Sequence, residues 1–270
     1  LDLSALDGTN GFKINGIDAG DMSGYSVSSA GDVNGDGIDD IIIGAYTADP
    51  YGKSNAGESY VVFGSNTQLT AELNLSALNG TNGFKINSFE KDEFSGASVS
   101  SAGDVNGDGI DDIIIGAPNA DQNDNVSAGK SYVVFGAETW SKGRAILDLP
   151  SLDGTNGFTI NGIGKYDSSG QSVSSAGDVN GDGIDDIIIS NGPTINGYVV
   201  YGSDTRSTIN LNLSSIDGTN GFQITGIDGG TSGYSVSSAG DVNGDGINDI
   251  IIGAHKANSY AGESYVVYGS

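Results

Sequence analysis

The sequence has no cysteine and a single histidine among its 270 residues. Without cysteine the chain has no disulfides, no cysteine-ligated zinc, no iron–sulfur cluster and no thiol catalysis. A serine–histidine–aspartate site would need His255, and nothing near this residue has the pattern of a nucleophile turn. We therefore predict that the chain is not an enzyme.

Basic residues are scarce, and long apolar runs are absent. Ten Lys and Arg stand against 35 Asp and Glu, which gives a formal net charge of −25 at pH 7. Nucleic acids require a basic stripe and anionic membrane surfaces attract basic clusters, so this composition disfavours both as partners. No apolar run approaches the roughly 18 residues of a membrane-spanning helix. We predict no nucleic-acid binding and no membrane insertion.

Glycine is abundant instead, and one glycine-rich string recurs along the chain. It reads Gly-Asp-Val-Asn-Gly-Asp-Gly-Ile-Asp/Asn-Asp-Ile-Ile-Ile and occurs four times, at Gly31–Ile43, Gly103–Ile115, Gly177–Ile189 and Gly240–Ile252. Repeats of this kind stack into one continuous body. We therefore predict a single domain over residues 1–270. Its repeats are approximately 1–72, 73–146, 147–210 and 211–270.

The apolar runs are short and bounded by Gly, Asn, Asp and Ser, as in all-β folds with tight turns. In the second repeat, Gly83–Asn87 alternates apolar and polar residues, and Ala97–Ser101 is small and alternating. Ile113–Ala117 is apolar on both faces, and Ser131–Gly136 is the next strand. Four short antiparallel strands are the content of one propeller blade, so the sequence predicts an all-β propeller of four-stranded antiparallel blades.

The two ends of the chain suggest how such blades close. The sequence opens on an outer-strand segment and stops after the third strand of the last repeat. Pairing of Phe12–Asn15 with Tyr265–Tyr268 would close a ring and remove two open edges. The same pairing between two chains would give an eight-bladed ring, and an excerpt from a longer array is a further alternative. We expect a monomer or a homodimer.

Each repeated loop is predicted to bind calcium. In Asp32–Asp40, side-chain oxygens stand at positions 1, 3, 5 and 9, and a backbone carbonyl is available at position 7. Calcium accepts about six to eight oxygens in flexible geometry, whereas magnesium demands a stricter octahedron. An Asx-rich turn without metal is the alternative. The predicted ligands are Asp32, Asn34, Asp36, Ile38, Asp40, Asp104, Asn106, Asp108, Ile110, Asp112, Asp178, Asn180, Asp182, Ile184, Asp186, Asp241, Asn243, Asp245, Ile247 and Asp249.

Asp39, at position 8 of the first loop, is predicted to face solvent, and Asn248 replaces it in the fourth copy. About four structural calcium ions per chain are expected. At tenfold excess over its dissociation constant, each ion would stabilise the fold by about 1.4 kcal/mol. Sites with dissociation constants of roughly 10⁻⁴ to 10⁻³ M fill outside the cell. We therefore expect a secreted or cell-surface location, and a chain that is a piece of a longer secreted protein.

These residues resemble a known family. The segment 23–45, with Gly116-Ala117-Pro118 in the second copy, resembles the FG-GAP repeats of the integrin α-chain β-propeller and of bacterial surface proteins. The resemblance covers all four repeats. It implies calcium held by positions 1, 3, 5 and 9 and by the carbonyl at position 7. The chain departs from the family where Ser190-Asn191 replaces Gly-Ala, and integrin propellers have seven blades rather than four.

The loops on the face opposite the calcium loops vary in length and sequence, so a protein or glycan ligand is predicted there. Within them Tyr46, Tyr51, Tyr166 and Tyr260 are candidate ligand contacts. The loops are Ile17–Gly24, Tyr46–Gly57, Phe89–Gly96, Pro118–Gly129, Ile163–Gly170, Asn191–Gly197, Ile227–Gly233 and His255–Gly262. Two functions fit: a calcium-stabilised extracellular adhesion or protein-interaction module, and a lectin-like carbohydrate-binding propeller. An accessory domain of a secreted enzyme is a remote third.

Overall fold

The computed structural model is almost entirely β-structure and describes residues 2–67, 70–122, 124–192, 196–205, 208–225 and 235–270. In chain order its strands are β1 Lys13–Asn15, β2 Ser26–Gly31, β3 Asp40–Ala45, β4 Glu58–Val62, β5 Glu72–Asn74, β6 Gly83–Asn87, β7 Ser98–Gly103, β8 Asp112–Ala117, β9 Lys130–Val134, β10 Ile146–Asp148, β11 Gly157–Asn161, β12 Ser169–Gly177, β13 Asp186–Asn191, β14 Asn196–Val200, β15 Asn210–Asn212, β16 Gly221–Thr225, β17 Ser235–Gly240, β18 Asp249–Ala254 and β19 Glu263–Val267. The predicted all-β class is confirmed.

Helical structure is confined to single turns. The turn α1 spans Ala257–Tyr260. Short 3-10 turns span Leu3–Ala5, Pro50–Gly52, Leu75–Ala77, Trp140–Lys142, Leu149–Ser151 and Leu213–Ser215. Within the described ranges, no helix has the length and apolarity needed to cross a bilayer. The variable loop Ile227–Gly233 lies outside the described residues.

The strands form a series of antiparallel sheets, one for each repeat. The first sheet is β2-β3-β4-β6, the second β7-β8-β9-β11, the third β12-β13-β14-β16 and the fourth β17-β18-β19. The outer strand of each of the first three sheets comes from the next repeat, and Val61 of β4 lies opposite Phe84 of β6. The prediction of short antiparallel strands joined by the Asp-rich loop is confirmed.

The segment that joins the third and fourth strands also forms a strand, which the sequence analysis treated as a connection. In β10, Leu147 lies opposite Ile86 of β6 in a parallel pair. Likewise Leu211 of β15 lies opposite Ile160 of β11, and Ile14 of β1 lies opposite Leu73 of β5. The first two sheets therefore have a fifth, parallel edge strand, and it joins each repeat to the one before it.

The apolar runs after the Asp-rich loops are buried on both faces. In β8, Ile113 and Ile115 pack into the core between the first and second sheets, whereas Ile114 packs into the core between the second and third. Successive side chains of a strand point to opposite faces. An unbroken Ile-Ile-Ile run therefore requires sheets stacked face to face, and the cores alternate with the sheets along the chain.

The series of sheets is open at both ends in this structure. The inner strands pack in chain order, β2 on β7, β7 on β12 and β12 on β17. Within the described residues, β1 pairs with β5 alone and β19 pairs with β18 alone. The predicted pairing of Phe12–Asn15 with Tyr265–Tyr268 is not formed here. Ring closure and the number of blades therefore stay predictions.

Candidate metal centre

Each Asp-rich loop is folded around the carboxylate at its first position. In the first copy, Asp32 accepts hydrogen bonds from the backbone N–H groups of Asp36 (3.0 Å) and Gly37 (2.7 Å). Asp36 in turn accepts from the N–H of Ile38 at 3.0 Å. Gly37 has a φ of 86°, a left-handed conformation in which a Cβ is strained. The carboxylates at positions 1 and 5 therefore both accept hydrogen bonds from N–H groups of the same tight turn.

The aspartate at position 9 is buried and joins the loop to the sheet. Asp40 accepts from Val33 N–H at 3.1 Å and from Gly64 N–H, just after β4, at 2.8 Å. The same pair of bonds is made by the equivalent aspartates of the other three copies, Asp112, Asp186 and Asp249. Predicted ligand positions 1, 5 and 9 thus lie in one compact loop in every copy.

Burial raises the pKa of the position-9 carboxyl in the first three copies. Desolvation raises the pKa of Asp40 and of Asp186 to about 7, and that of Asp112 to about 8. The nearby carboxylates of Asp32 and Asp36 add to the rise in the pKa of Asp40. A buried carboxylate is stable in its charged form only beside a cation or several donors. A cation would therefore relieve a cost that these loops carry.

The oxygen atoms of the loop that could bind a metal are of the type that calcium prefers. The amide oxygen of Asn34, at position 3, is buried and has no hydrogen-bond partner. Carboxylates, one amide oxygen and one backbone carbonyl are hard oxygen ligands. Across the described residues, no three Asp, Glu or His side chains are drawn together closely enough to form a metal site. The carboxylates point instead at backbone N–H groups, so calcium binding remains a hypothesis.

The residue at position 8 has a role that the sequence analysis missed. Asp39 is exposed as predicted, but its equivalents Asp111 and Asp185 are partly buried. Their carboxylates accept from the backbone N–H of position 1 in the preceding loop, Asp32 at 2.8 Å and Asp104 at 3.0 Å. The prediction made for Asp39 therefore does not extend to these two copies. Position 8 joins successive loops. The sequence signal for this contact is the glycine before each loop, such as Gly31 or Gly103, because a side chain there would collide with the position-8 carboxylate.

The candidate ligand tyrosines lie on the face opposite the Asp-rich loops but do not form one cluster. Tyr51 and Tyr166 are exposed, and so is Tyr260. Tyr51 donates to Asp148 at 3.1 Å and its ring packs near Phe89. Tyr46 is half-buried between the rings of Tyr25 and Phe94. Between these four tyrosines the described structure has no ring contact.

A polar cavity of about 540 Å³ lies on the same face, and the sequence analysis did not find it. Its wall includes Glu93, which is buried and accepts from Ser88 and from Tyr132. Burial raises the pKa of Glu93. Lys130, which also lines the cavity, forms an ion pair with Glu90 at 3.0 Å. The third-strand aromatic residues are buried where a neighbouring sheet covers them; Tyr60, Phe63, Tyr132 and Phe135 are examples.

A family model described as the FG-GAP repeat matches the chain four times. The matches cover residues 23–62, 95–134, 169–201 and 232–267, which together are more than half of the chain. Each match contains one Asp-rich loop and the buried strand after it. The expected resemblance to this family is confirmed.

Several named proteins are similar to the chain. Integrin alpha pat-2 of Caenorhabditis elegans is 32% identical over 251 residues, which are 89% of this chain and 18% of that protein. Integrin alpha-5 of Xenopus laevis is 28% identical over 86% of this chain and 20% of its own length. Phosphatidylinositol-glycan-specific phospholipase D of Bos taurus is 29% identical over 62% of this chain and 18% of its own length. The chain thus spans about a fifth of these relatives.

Proposed function

The chain belongs to the FG-GAP repeat family, and we propose that it is an extracellular adhesion or protein-interaction module built as a calcium-stabilised β-propeller. The observation that carries this proposal is the repeat itself: the four matches share one loop and one buried strand. Similarity to two integrin α chains over nearly the whole of this chain supports the same class. Fold alone does not assign a partner, so the proposal concerns the class of function.

Calcium is proposed to bind at positions 1, 3, 5, 7 and 9 of each Asp-rich loop. Position 9 lies at the start of the strand that is buried between sheets, so a bound ion would fix that strand. The ion would also neutralise carboxylates that otherwise repel one another. When bound, the ion supplies positive charge, and the loop oxygens form its coordination shell. The loop residues hold the start of the buried strand in place. The role is structural rather than catalytic.

The calcium proposal is tested by measuring ion binding and stability together. Isothermal titration with calcium on chelator-treated protein should show about four sites per chain, and the unfolding temperature should rise with calcium. Magnesium at the same concentration is the control and should have a smaller effect, because its octahedral geometry suits these loops less well. An unchanged unfolding temperature and no heat of calcium binding would refute the proposal.

The partner is proposed to bind the face that carries the variable loops. Exposed aromatic side chains such as Tyr51 and Tyr166 supply contact area at low entropic cost. Loops held by a rigid scaffold carry binding functions disproportionately. A panel of extracellular-matrix proteins should include a ligand whose binding falls in Tyr51→Ala or Tyr166→Ala. Ile146→Ala, an exposed change on a sheet edge, is the control.

A carbohydrate ligand is the second candidate, and the polar cavity favours it. Asn161, Asn210 and Asn212 line the cavity beside Leu149 and Pro150, which combines amide groups with apolar surface as sugar sites require. Binding that persists after the partner's glycans are removed would favour the protein-interaction module. Inhibition by a simple sugar would favour the lectin-like module. The similarity to a phospholipase D is compatible with an accessory domain of an enzyme, and we propose no catalysis by this chain.

A further inference from the structure

The outer edge of the first sheet holds a hydroxyl group between two side chains. Asn87 of β6 lies opposite Asp148 of β10 and donates to its carboxylate at 3.1 Å. The hydroxyl of Tyr51 accepts from the same Asn87 amide at 3.1 Å and donates to Asp148 at 3.1 Å. The Tyr51 ring packs against Phe89, with the ring centroids 4.8 Å apart. One donor and one acceptor thus bind the hydroxyl of a ring that also has an apolar contact.

The second sheet has the same pair of positions without the tyrosine. Asn161 of β11 lies opposite Asn212 of β15 and donates to its amide oxygen at 3.1 Å. The loops after the second strand have equal length in the two repeats, and Asn123, outside the described residues, stands at the place of Tyr51. Among the described residues, none places a hydroxyl on the Asn161–Asn212 pair. The second amide hydrogen of Asn161 and the second lone pair of the Asn212 oxygen can therefore bind a ligand.

This amide pair lies in the wall of the polar cavity of about 540 Å³. Asn161 is only 5% exposed, yet its own amide oxygen accepts no hydrogen bond from any described residue. Thr159 also lines the cavity and lies opposite Tyr132, whereas the corresponding residue of β6 is the longer Lys85. Shorter residues at the places of Tyr51 and Lys85 leave room in the second sheet that long side chains occupy in the first.

The charged side chains of the cavity already have partners. Lys130 forms its ion pair with Glu90 at 3.0 Å, and Glu93 accepts from the hydroxyls of Ser88 and Tyr132. A charged ligand would have to displace one of these partners or lose its own hydration uncompensated. The remaining polar lining consists of side-chain amides and one hydroxyl, which both donate and accept. These are Gln122, Asn161, Asn210, Asn212 and Thr159.

We propose that this cavity binds one ring of an uncharged sugar through two neighbouring hydroxyls, an inference that rests on the carbohydrate-binding alternative proposed above. The first sugar hydroxyl takes the place that the Tyr51 hydroxyl has in the first sheet, accepting from Asn161 and donating to Asn212. The second hydroxyl donates to the unpartnered Asn161 oxygen and accepts from the Asn212 amide. Leu149 and Pro150 provide the apolar surface for the ring.

A sugar suits the cavity better than a tyrosine side chain from a partner protein. A phenol has one hydroxyl, so it would leave most of the amides in the wall without a partner, and buried polar groups are normally paired. The two sheets also differ in one donor: the Asp148 carboxylate only accepts, whereas the Asn212 amide also donates. The second sheet therefore has a hydrogen-bond donor that the tyrosine of the first sheet does not require.

Isothermal titration of the 270-residue chain tests the site with the methyl glycosides of glucose, galactose, mannose and N-acetylglucosamine. At least one should bind, and Asn212→Leu should bind it about tenfold more weakly or worse, because both amide groups are lost. Asn74→Leu is the matched control. Asn74 accepts from Asn15 at 3.0 Å in the equivalent pair of β1 and β5 and does not line the cavity, so its loss should leave the affinity unchanged.

A second variant separates loss of the site from loss of the fold. Asn212→Asp copies the residue of the first sheet and keeps an acceptor, but it removes the donor and adds a charge. It should also weaken glycoside binding, and both Asn212 variants should keep the unfolding temperature of the wild type, since Asn212 is exposed. Wild-type affinity in both variants would overturn the inference.

Three further probes test the chemistry of the ligand. p-Cresol represents a tyrosine side chain, glucuronate an anionic sugar and glucosamine a cationic sugar. Each should bind more weakly than the best neutral glycoside. Tighter binding of p-cresol would identify a site for a partner's tyrosine instead of a sugar, and tighter binding of either charged sugar would rule out the uncharged class.

Nitrogen-15 NMR locates the bound glycoside. The side-chain amide signals that disappear in Asn212→Leu identify this residue, and they should shift when glycoside is added to the wild type. If the wild type binds glycoside and these signals do not move, the carbohydrate-binding function stands and this site is wrong. If no glycoside binds, both are wrong. Calcium titration of the same samples tests the calcium proposal separately, because none of the predicted calcium ligands lines the cavity.

Discussion

Asp111 holds Asp32 by two hydrogen bonds across the boundary between the first and second repeats. Its carboxylate accepts from the Asp32 N–H at 2.8 Å, and its own N–H donates to the Asp32 carbonyl at 3.3 Å. The contact joins position 8 of one loop to position 1 of the loop before it. Asp111 is not itself a predicted metal ligand, yet it connects two predicted metal loops. The stability of the fold should therefore depend on Asp111 whether or not calcium is present.

Removing the Asp111 carboxylate should destabilise the fold. Asp111→Ala leaves the Asp32 N–H without its partner at a partly buried site, which costs about 1 to 3 kcal/mol. Asp111→Asn should cost less because an amide oxygen still accepts, and the fourth copy has Asn248 at this position. Urea unfolding measures both, with the exposed Asp124→Ala as the control. Equal stability of Asp111→Ala and the wild type would contradict the role.

Gly31 should tolerate no side chain. A Cβ there would lie 2.3 Å from the Asp111 carboxylate oxygen, in a backbone with φ of 73°. Gly52 has nearly the same φ, 72°, and open space around it. Gly52→Ala therefore measures the backbone cost alone, about 1 kcal/mol. Gly31→Ala should cost clearly more, and the difference in urea midpoint reports the steric contact. Similar midpoints would mean that Asp111 moves aside freely.

Sequence predicted the β class, the repeats and the strands because these follow from local periodicity and from one string copied four times. It did not predict β10, because this segment becomes a strand only by pairing with β6 of the preceding sheet, where Leu147 lies opposite Ile86. It also missed Trp140, which stacks on Phe84 at 4.4 Å and lies beneath Arg144. Trp140 occurs once, in a connection, so no repeat marks it. The contacts of Leu147 with Ile86 and of Trp140 with Phe84 are tertiary, so the local periodicity of the sequence does not predict them.

The calcium-free protein should lose stability as pH rises. Burial holds the pKa of Asp112 at about 8, whereas an aspartate in an unfolded chain has a pKa of about 3.9. Between these values the folded state binds the extra proton, so raising the pH favours unfolding. Calcium requires the deprotonated carboxylate, so its stabilising effect should grow with pH over the same range.

Urea midpoints at pH 5, 6, 7 and 8, in chelator and in calcium, measure this dependence. General repulsion among the many acids also grows with pH, so Asp112→Asn is the comparison that isolates one group. This variant should show a shallower decline in chelator than the wild type. Parallel declines for the two proteins would mean that Asp112 does not hold a proton in the folded state.

Positions 5 and 8 of one loop should separate metal binding from the contact between repeats. Asp108, at position 5, accepts from Ile110 N–H at 3.0 Å within an exposed loop, so Asp108→Ala should change stability little in chelator. In calcium it should lose about one site's share, about 1.4 kcal/mol at tenfold excess over the dissociation constant.

Asp111→Ala is the matched variant three residues away, and it should lower stability by a similar amount in chelator and in calcium. The measurement is the free energy of unfolding of both variants and the wild type in each condition, arranged as a double-mutant cycle with calcium as the second change. Loss of the calcium effect in Asp111→Ala, with Asp108→Ala unchanged, would reverse the assignment. Position 8 would then be the metal ligand, and position 5 would serve only the turn.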